Sequence, residues 1–316
     1  MMIDPNDPRL LSIHLRRDLL KNGWDEAALA KALRDGVFTR VRHGAYADAG
    51  QFARLDEVAA HAVRARAAAR QAKTAVVISH ASALAFVDDA PMWGLDLSDV
   101  HLTRRDGKAG RREADIRQHR GVLLDDDIVT IGDVEVMSAL RAALEVMTYA
   151  PVEPALVVAN HMLHNKVFTR EELVERYDAG IDHWPGTSGA NIVLRLADPR
   201  IESVGETRFD YLCFRQGLPR PVPQLEVYDE RGTLLGRLDF AWPERKVWAE
   251  FDGRVKYEKL LREGESVTDV VLQEKKRQEL IERVTGWRCI RVDWEDLRHP
   301  ERLAAKIRAA FAEMAA

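Results

Sequence analysis

The sequence predicts a multidomain α+β protein. Its 316 residues exceed the ~100–200 that usually form one domain, so two or three domains with buried cores are expected. Helical spacing of apolar residues and short alternating runs occupy separate stretches of the chain, which is typical of the α+β class. A composition of 46% hydrophobic and 31% charged residues excludes a disordered chain and a collagen-like one.

Charge and cysteine content narrow the function classes. The net charge of −4 supplies no global positive field, so any nucleic-acid binding must come from a local patch. Cys213 and Cys289 cannot form a multi-disulfide framework, and neither has a Cys or His neighbour at zinc-ligand spacing. Because neither a leader-like N-terminus nor a run of ~20 apolar residues is visible, we expect a cytoplasmic protein that does not enter a membrane.

Residues 1–75 predict a winged helix-turn-helix domain. A helix at 14–22 is followed by a turn and a second helix that begins after Asp25. Residues 37–46 alternate in polarity, which indicates a basic hairpin. In such a domain the second helix enters the major groove of DNA while the hairpin holds phosphates. The alternative is a small packing subdomain with a solvated basic face. The candidate DNA contacts are Lys31, Arg34, Arg40, Arg42 and His43.

A family resemblance supports the first interpretation. The segment NGWDEAALAKALRDGVFTRVRHGAYA resembles the N-terminal winged helix of AbiEi-type antitoxins from bacterial type IV toxin–antitoxin systems. The resemblance continues through SHASAL at 79–84 and VHLT at 100–103 to about residue 150. It implies a DNA-binding protein with a cognate nucleotidyltransferase-type toxin as a partner.

Residues 76–150 predict a small α+β region, and 151–200 a helical linker. Apolar runs at 76–78, 100–102, 122–124, 128–131 and 134–136 indicate strands. The acidic triplet at 125–127 lacks a glycine-centred ligand loop and predicts a solvated turn rather than a cation site. His161 and His164 lie one helical turn apart without an acidic third ligand nearby, and WPGTSG at 184–189 is a candidate hinge.

Residues 201–316 predict a domain with the element order αβββαβ. Helices are expected at 203–216 and from 268 or 269 to about 284, with strands at 222–228, 233–242, 247–252 and 287–292. If 244 and 245 form the loop of the second hairpin, paired positions sum to 489 and Asp239 lies opposite Glu250. Asp252 then shares a face with Glu250, because side chains alternate along a strand. The opposite, apolar face carries Leu238, Phe240, Ala249 and Phe251.

Three carboxylates on one hairpin face need a counter-charge, since directly opposed like charges cost up to ~1 kcal/mol per pair. A Mg²⁺ or Mn²⁺ ion bound by Asp239, Glu250 and Asp252 would supply it and could activate water against a phosphate. The alternative is a structural ion network, and the spacing leaves both open. Its candidate cations are Arg237, Lys256 and Lys275.

A second resemblance favours the metal. The segments GRLDFAWPERKVWAEFDGRVKY and EKKRQELIERVTGWRCIRVDW resemble the very-short-patch-repair-like (Vsr-like) branch of the PD-(D/E)XK nuclease superfamily, across residues 202–298. It implies a restriction-endonuclease-like domain that hydrolyses DNA phosphodiester bonds with magnesium held by Asp239 and Glu250. The chain departs from the family at Asp252, where the superfamily has a lysine. Lys256, or Lys275 on the following helix, could replace that lysine, and Lys256 is the preferred candidate to orient the attacking water.

Three further residues carry two interpretations each. Glu206 is either an additional catalytic ligand or the glutamate of an ordinary capping box with Ser203. Lys275 and Arg277 are either substrate contacts or stabilisers of their own helix. The preferred hypothesis is a DNA-binding protein of the toxin–antitoxin or defence type with a metal-dependent endonuclease domain. The alternative is a catalytically inactive antitoxin and transcriptional repressor that uses the nuclease fold to bind a partner or DNA.

Overall fold

The computed structural model describes residues 4, 6–108, 110, 112–113, 115–181, 183–253 and 267–315, with side chains described from 275 onward in the last range. The chain forms two compact units, Met1–Arg195 and Leu196–Ala316. Both combine helices with β-sheet, so the predicted mixed α+β class is confirmed. Among the helices of the described residues, none has the length and apolar character needed to cross a membrane.

The first unit begins with a three-stranded sheet and two short helices. Asp25 caps the second helix by accepting the amide hydrogen of Ala28 at 2.7 Å. Residues 14 and 15 form a strand rather than the predicted helix start, because Leu15 pairs with Ala45 and is buried in the core. The sheet order is β1-β3-β2. The elements are β1 (His14–Leu15), α1 (Arg16–Lys21), α2 (Glu26–Arg34), β2 (Phe38–Arg42), β3 (Ala45–Asp48), α3 (Ala49–Phe52) and α4 (Glu57–Gln71).

A six-stranded sheet of order β6-β7-β5-β4-β9-β8 follows. Its strands are β4 (Val76–Ile78), β5 (Val100–Arg104), β6 (Arg112–Glu113), β7 (Ile116–Arg120), β8 (Ile128–Ile131) and β9 (Val134–Met137). The strand predicted at 122–124 is wrong: Val122 is 73% exposed, and the preceding polar segment β7 pairs with β5 instead. Apolar content misses β7 because Ile116 is its one buried side chain.

Five helices complete this unit: α5 (His80–Leu84), α6 (Ala139–Tyr149), α7 (Val152–His164), α8 (Arg170–Asp178) and α9 (Thr187–Leu196). Pro154 lies in the first turn of α7 and does not break it, since a helix tolerates proline there. The candidate hinge at 184–189 lies within the first unit. There Gly186 packs so closely on the Thr148 carbonyl that an added Cβ would lie 1.9 Å from its oxygen.

The acidic triplet forms a turn, but the prediction that it is solvated is wrong for Asp127. This carboxylate is 2% exposed and lies 3.1 Å from Arg141 and 2.7 Å from Arg176. Arg141 also donates to Glu145 at 3.0 Å. The two helices α6 and α8 therefore supply the guanidinium groups that neutralise a buried aspartate.

The second unit has the predicted order αβββαβ and a further helix at its end. It comprises α10 (Val204–Arg215), β10 (Val222–Tyr228), β11 (Leu234–Trp242), β12 (Val247–Phe251), α11 (Val267–Thr285), β13 (Arg288–Val292) and α12 (Pro300–Ala315). The sheet order follows the chain, with β10, β11 and β12 antiparallel and β13 parallel to β12. Phe209 of α10 and Ile307 of α12 cover one face of this sheet.

The predicted register of the second hairpin is confirmed, whereas its two-residue loop is wrong. Trp242 pairs with Val247 and Phe240 with Ala249, so the positions sum to 489. The connection is a turn of 3-10 helix, Pro243–Arg245, followed by Lys246 in the left-handed region with φ +52°.

Leu238 lies on the face opposite to the predicted one. It packs with Trp248 and Ile281, whereas Phe240 packs in the other core. The pairing of β10 with β11 is interrupted at Gln224, which adopts φ +53°. Leu238 and Phe240 thus lie on opposite faces although they are two residues apart, and sequence periodicity does not reveal this break in alternation at Asp239.

Candidate functional site

Asp239 of β11 contacts the backbone at the end of β12. One carboxylate oxygen of Asp239 accepts the amide hydrogen of Phe251 at 2.9 Å. Glu250 precedes this residue on β12 and is 6% exposed. Asp252 follows it, with its own amide hydrogen donated to the carbonyl of Val292 at 2.7 Å. The three predicted acids therefore lie around the C-terminal end of β12, where its pairing with β11 ends.

The counter-charges at this acidic end come from Arg277 and Arg291. Arg277 of α11 donates to Oε1 of Glu250. Arg291 of β13 pairs with Glu250 in the parallel register and lies 3.7 Å from its Oε2 and 3.9 Å from Asp252. Gln278 holds the Arg291 guanidinium through two bonds of 3.1 Å.

The cations expected from the sequence have other positions. Arg237 pairs with Glu202 at 2.7 Å. Lys275 is 72% exposed and lies 4.0 Å from Glu279 on its own helix. Lys256 lies outside the described residues. Arg277 and Arg291 follow Asp252, the last of the three acids, by 25 residues or more. Local spacing around the hairpin could therefore not identify them.

Burial raises the pKa of Glu250, the Arg277 guanidinium opposes that rise, and the negative charge of Asp239 adds to it. Asp239 and Glu250 are thus close enough to interact. Two carboxylates suit Mg²⁺, which is usually bound by one or two protein carboxylates together with water and substrate phosphate. In the described part of the chain, Asp252 does not bring a third carboxylate oxygen within 4.8 Å of both others.

Glu206 has the hydrogen bonds of a helix-capping residue. It is 1% exposed, and its Oε1 accepts from the Ser203 hydroxyl at 2.8 Å. Its Oε2 accepts from the Glu202 amide at 3.1 Å and from Gln224 at 3.0 Å. Both oxygens have donors, and one donor is the residue at which the strand pairing is interrupted. Glu206 therefore links the start of α10 to β10.

The five candidate DNA contacts of the first unit divide into one half-buried residue and four exposed ones. Arg42 is half-buried, donates to Gln71 and lies 3.1 Å from Asp115. The other four side chains project from the end of α2 and from the hairpin of β2 and β3. These exposed candidates are Lys31, Arg34, Arg40 and His43.

The structure brings together three histidines that sequence reasoning did not connect. His80 follows β4, His101 lies on β5 and His119 lies on β7. Their ring nitrogens all lie within 4.8 Å of one another, and Nδ1 of His101 is 3.0 Å from Nε2 of His119. Two of these residues stand in the motifs SHASAL and VHLT, but the third is distant in sequence. The parallel pairing of β5 with β7 is what joins them.

This histidine cluster borders a pocket of about 820 Å³. Its walls include His80, His119, Glu145, Tyr149 and Trp184. The edge of the Tyr149 ring faces all three imidazoles, with centroids 5.0 to 5.8 Å apart. The cluster is therefore packed on one side and accessible from the pocket on the other.

The three imidazoles are neutral at physiological pH. Burial, together with neighbouring positive charge, lowers the pKa of His101 to about 3 and that of His119 to about 4. Burial also holds the pKa of His80 well below its usual value. Each ring consequently keeps a nitrogen lone pair at neutral pH.

Comparisons with known proteins connect the chain to mycobacterial sequences. No family model matches it. It is similar to Uncharacterized protein MT2308 of Mycobacterium tuberculosis strain CDC 1551 / Oshkosh and to Uncharacterized protein Rv2248 of strain ATCC 25618 / H37Rv. Each is 32% identical over 123 residues, which span 39% of this chain and 42% of the relative. The similarity thus covers less than half of either protein.

Proposed function

We propose that the chain is a DNA-binding protein whose second unit hydrolyses phosphodiester bonds with Mg²⁺ or Mn²⁺. The observation that carries the proposal is the proximity of Asp239 and Glu250 where the pairing of β11 with β12 ends. The order αβββαβ and the resemblance to Vsr-like nucleases agree with it. The proposed fold is therefore restriction-endonuclease-like.

Asp239 and Glu250 would hold the metal ion. When bound, the ion would supply a polarised water and a positive charge against the phosphate. The amide of Phe251 donates a hydrogen bond to one carboxylate oxygen of Asp239. This bond fixes the orientation of the whole carboxylate, including its second oxygen. Arg277 and Arg291 are suited to bind a phosphate, because guanidinium groups match its geometry. Both stand at Glu250 in the structure.

For the first unit we propose a winged helix-turn-helix that contacts DNA. Supporting observations are the helix pair α1 and α2, the hairpin that follows, and the pairing of β1 with β3. Lys31 and Arg34 would face DNA from α2, while Arg40 and His43 would contact phosphates from the hairpin. Arg42 is better assigned to the fold, given its bonds to Gln71 and Asp115.

The test of catalysis compares the wild type with Glu250→Gln and with Glu244→Gln, a matched control at the exposed turn of the same hairpin. Each protein is titrated with Mg²⁺ and Mn²⁺ in a calorimeter and then incubated with supercoiled plasmid. We expect the wild type and the control to bind metal and nick DNA. We expect Glu250→Gln to lose about a hundredfold or more in nicking rate, in line with loss of a charge-stabilising group. A wild type that neither binds metal nor nicks would overturn the catalytic proposal.

The test of DNA binding is a gel shift at two salt concentrations. Phosphate contacts weaken as salt rises, and each contact adds about 0.9 to the slope of log affinity against log salt. We therefore expect Arg40→Ala to bind more weakly and to lower that slope by about 1. An unchanged slope would remove Arg40 from the interface.

A second candidate function is favoured by the ion pairs of Glu250. Two guanidinium groups already neutralise this carboxylate, and Asp252 stands where the superfamily has its lysine. These features suit a catalytically inactive antitoxin and repressor that binds DNA and a nucleotidyltransferase-type toxin. In that case the gel shift persists, while metal binding at Glu250 and plasmid nicking are both absent.

A further inference from the structure

The histidine cluster has the ligand chemistry of a transition-metal site. Tetrahedral zinc bonds to imidazole nitrogen at 2.0–2.1 Å, which places ligand nitrogens about 3.3 Å apart. Nδ1 of His101 and Nε2 of His119 are already 3.0 Å apart, and the third ring lies within 4.8 Å. Rotation of the His80 ring would bring its nitrogen closer. In the described residues, these three form the single group of His, Cys, Asp or Glu that meets this spacing.

The surroundings of His80 resemble the outer shell of a metal site. Its Nδ1 lies 3.1 Å from the Ser79 hydroxyl and 3.4 Å from Oε2 of Glu145. Metal-binding histidines usually direct their second nitrogen to a carboxylate or another acceptor in this way. This contact leaves Nε2 of His80 as the nitrogen available to a metal, while the ring stacks on that of His119 with centroids 3.8 Å apart.

The backbone at His80 adds an independent indication. His80 adopts φ +54°, a conformation that a non-glycine residue rarely keeps unless its surroundings impose it. Its amide donates to Glu145 at 2.9 Å, and this bond holds the conformation. The amide of His101 is fixed in a similar manner by the Ser82 hydroxyl at 2.9 Å. Both histidines are therefore positioned by buried side chains.

We propose that His80, His101 and His119 bind one zinc ion, whose fourth coordination position opens into the pocket. Imidazole nitrogens suit zinc, whereas magnesium and calcium prefer oxygen ligands. Three protein ligands are typical of zinc sites that retain a water or bind a further ligand. The pocket wall formed by His80 and His119 would give water or a small anion access to that position. This site belongs to the first unit and does not depend on the nuclease proposal.

The experiment measures zinc binding to the full chain by calorimetry, with metal content checked by mass spectrometry. His119→Gln removes one ligand. His161→Gln is the matched control, since it is a half-buried histidine of the same unit outside the cluster. We expect one zinc ion per chain in the wild type and in the control. Loss of an outer-shell partner alone weakens metal binding 10–100-fold, so we expect His119→Gln to weaken it by more than about a hundredfold.

Cobalt spectroscopy on the wild type keeps the proposal testable if His119→Gln does not fold. Co²⁺ in a four-coordinate imidazole site should give visible absorption without the thiolate charge-transfer band that Cys213 or Cys289 would produce, and zinc should abolish it. Glu250→Gln should retain zinc binding, which separates this site from the acidic one. Absence of zinc binding in the wild type, or equal affinity in a folded His119→Gln, would overturn the proposal and leave a metal-free histidine stack.

Discussion

Arg141 offers the sharpest test of the energetics of the first unit. Its side chain is fully buried and lies 3.0 Å from Glu145 and 3.1 Å from Asp127. Its guanidinium also lies 4.5 Å from the ring centroid of Trp184. Arg141→Met keeps most of the side-chain volume and removes the charge. The variant therefore leaves two buried carboxylates without one of their partners.

Removing one partner of a buried ion pair costs about 3–5 kcal/mol, because the remaining charge stays out of water. Asp127 retains Arg176 at 2.7 Å, so its loss is partly compensated. Glu145 is 1% exposed and loses its guanidinium. We expect the free energy of unfolding at pH 7 to fall by about 3–5 kcal/mol, with most of the loss arising at Glu145.

The loss of unfolding free energy in Arg141→Met should depend on pH, and the titration of Glu145 sets the direction of that dependence. Burial raises its pKa and Arg141 opposes that rise, so Arg141→Met should raise the pKa further. The folded variant then keeps a proton that the unfolded chain releases, and stability falls as pH rises through that window. The destabilisation should therefore be smaller at pH 5 than at pH 7. Urea unfolding followed by circular dichroism measures it, and hydrogen exchange in Ala139–Tyr149 localises it.

Arg105→Met is the matched control. Arg105 pairs with Glu135 at 2.7 Å, but both side chains are more than one third exposed. Exposed pairs contribute about 0–1 kcal/mol. If Arg141→Met costs no more than Arg105→Met, the buried network does not stabilise the unit as argued.

Three further outcomes concern the second unit. Gly205→Ala should lower the free energy of unfolding by about 1–3 kcal/mol, because the added Cβ would lie 2.0 Å from the ring of Phe251. This clash should outweigh the higher helix propensity of alanine. Unchanged urea unfolding would contradict this expectation. Burial raises the pKa of Asp210 to about 6 from 3.8, so stability should fall by about 2 kcal/mol from pH 4 to pH 6, and Asp210→Asn should remove that dependence in pH-dependent unfolding. Burial raises the pKa of the Cys213 thiol, and it also raises the pKa of the Cys289 thiol, in that case to about 12. At pH 8, iodoacetamide should therefore label both cysteines in urea and neither in the folded protein. Rapid labelling of the folded protein would contradict the burial.

Local sequence patterns predict the order of elements in the second unit well, because the elements depend on residues close to one another in the chain. Alternation along β11 and β12 and the length of their connection determine the pairing of Phe240 with Ala249. The same patterns fail at Leu238, which packs with Trp248 on the face opposite to that of Phe240. They also do not predict that Arg277 and Arg291, from elements later in the chain, pair with Glu250.

The sequence by itself determined the α+β class, the order αβββαβ and the register that places Asp239 near Glu250, because each follows from periodicity within a few residues of chain. Only the tertiary structure decided which groups become buried together. His101 and His119 are 18 residues apart and meet because β5 and β7 pair in parallel. Asp127 stands in an acidic turn that is polar by composition, yet Arg141 and Arg176 bury it. Parallel pairing and helix packing join residues distant in sequence, and burial then gives their charges and ring nitrogens the partners that water would otherwise supply.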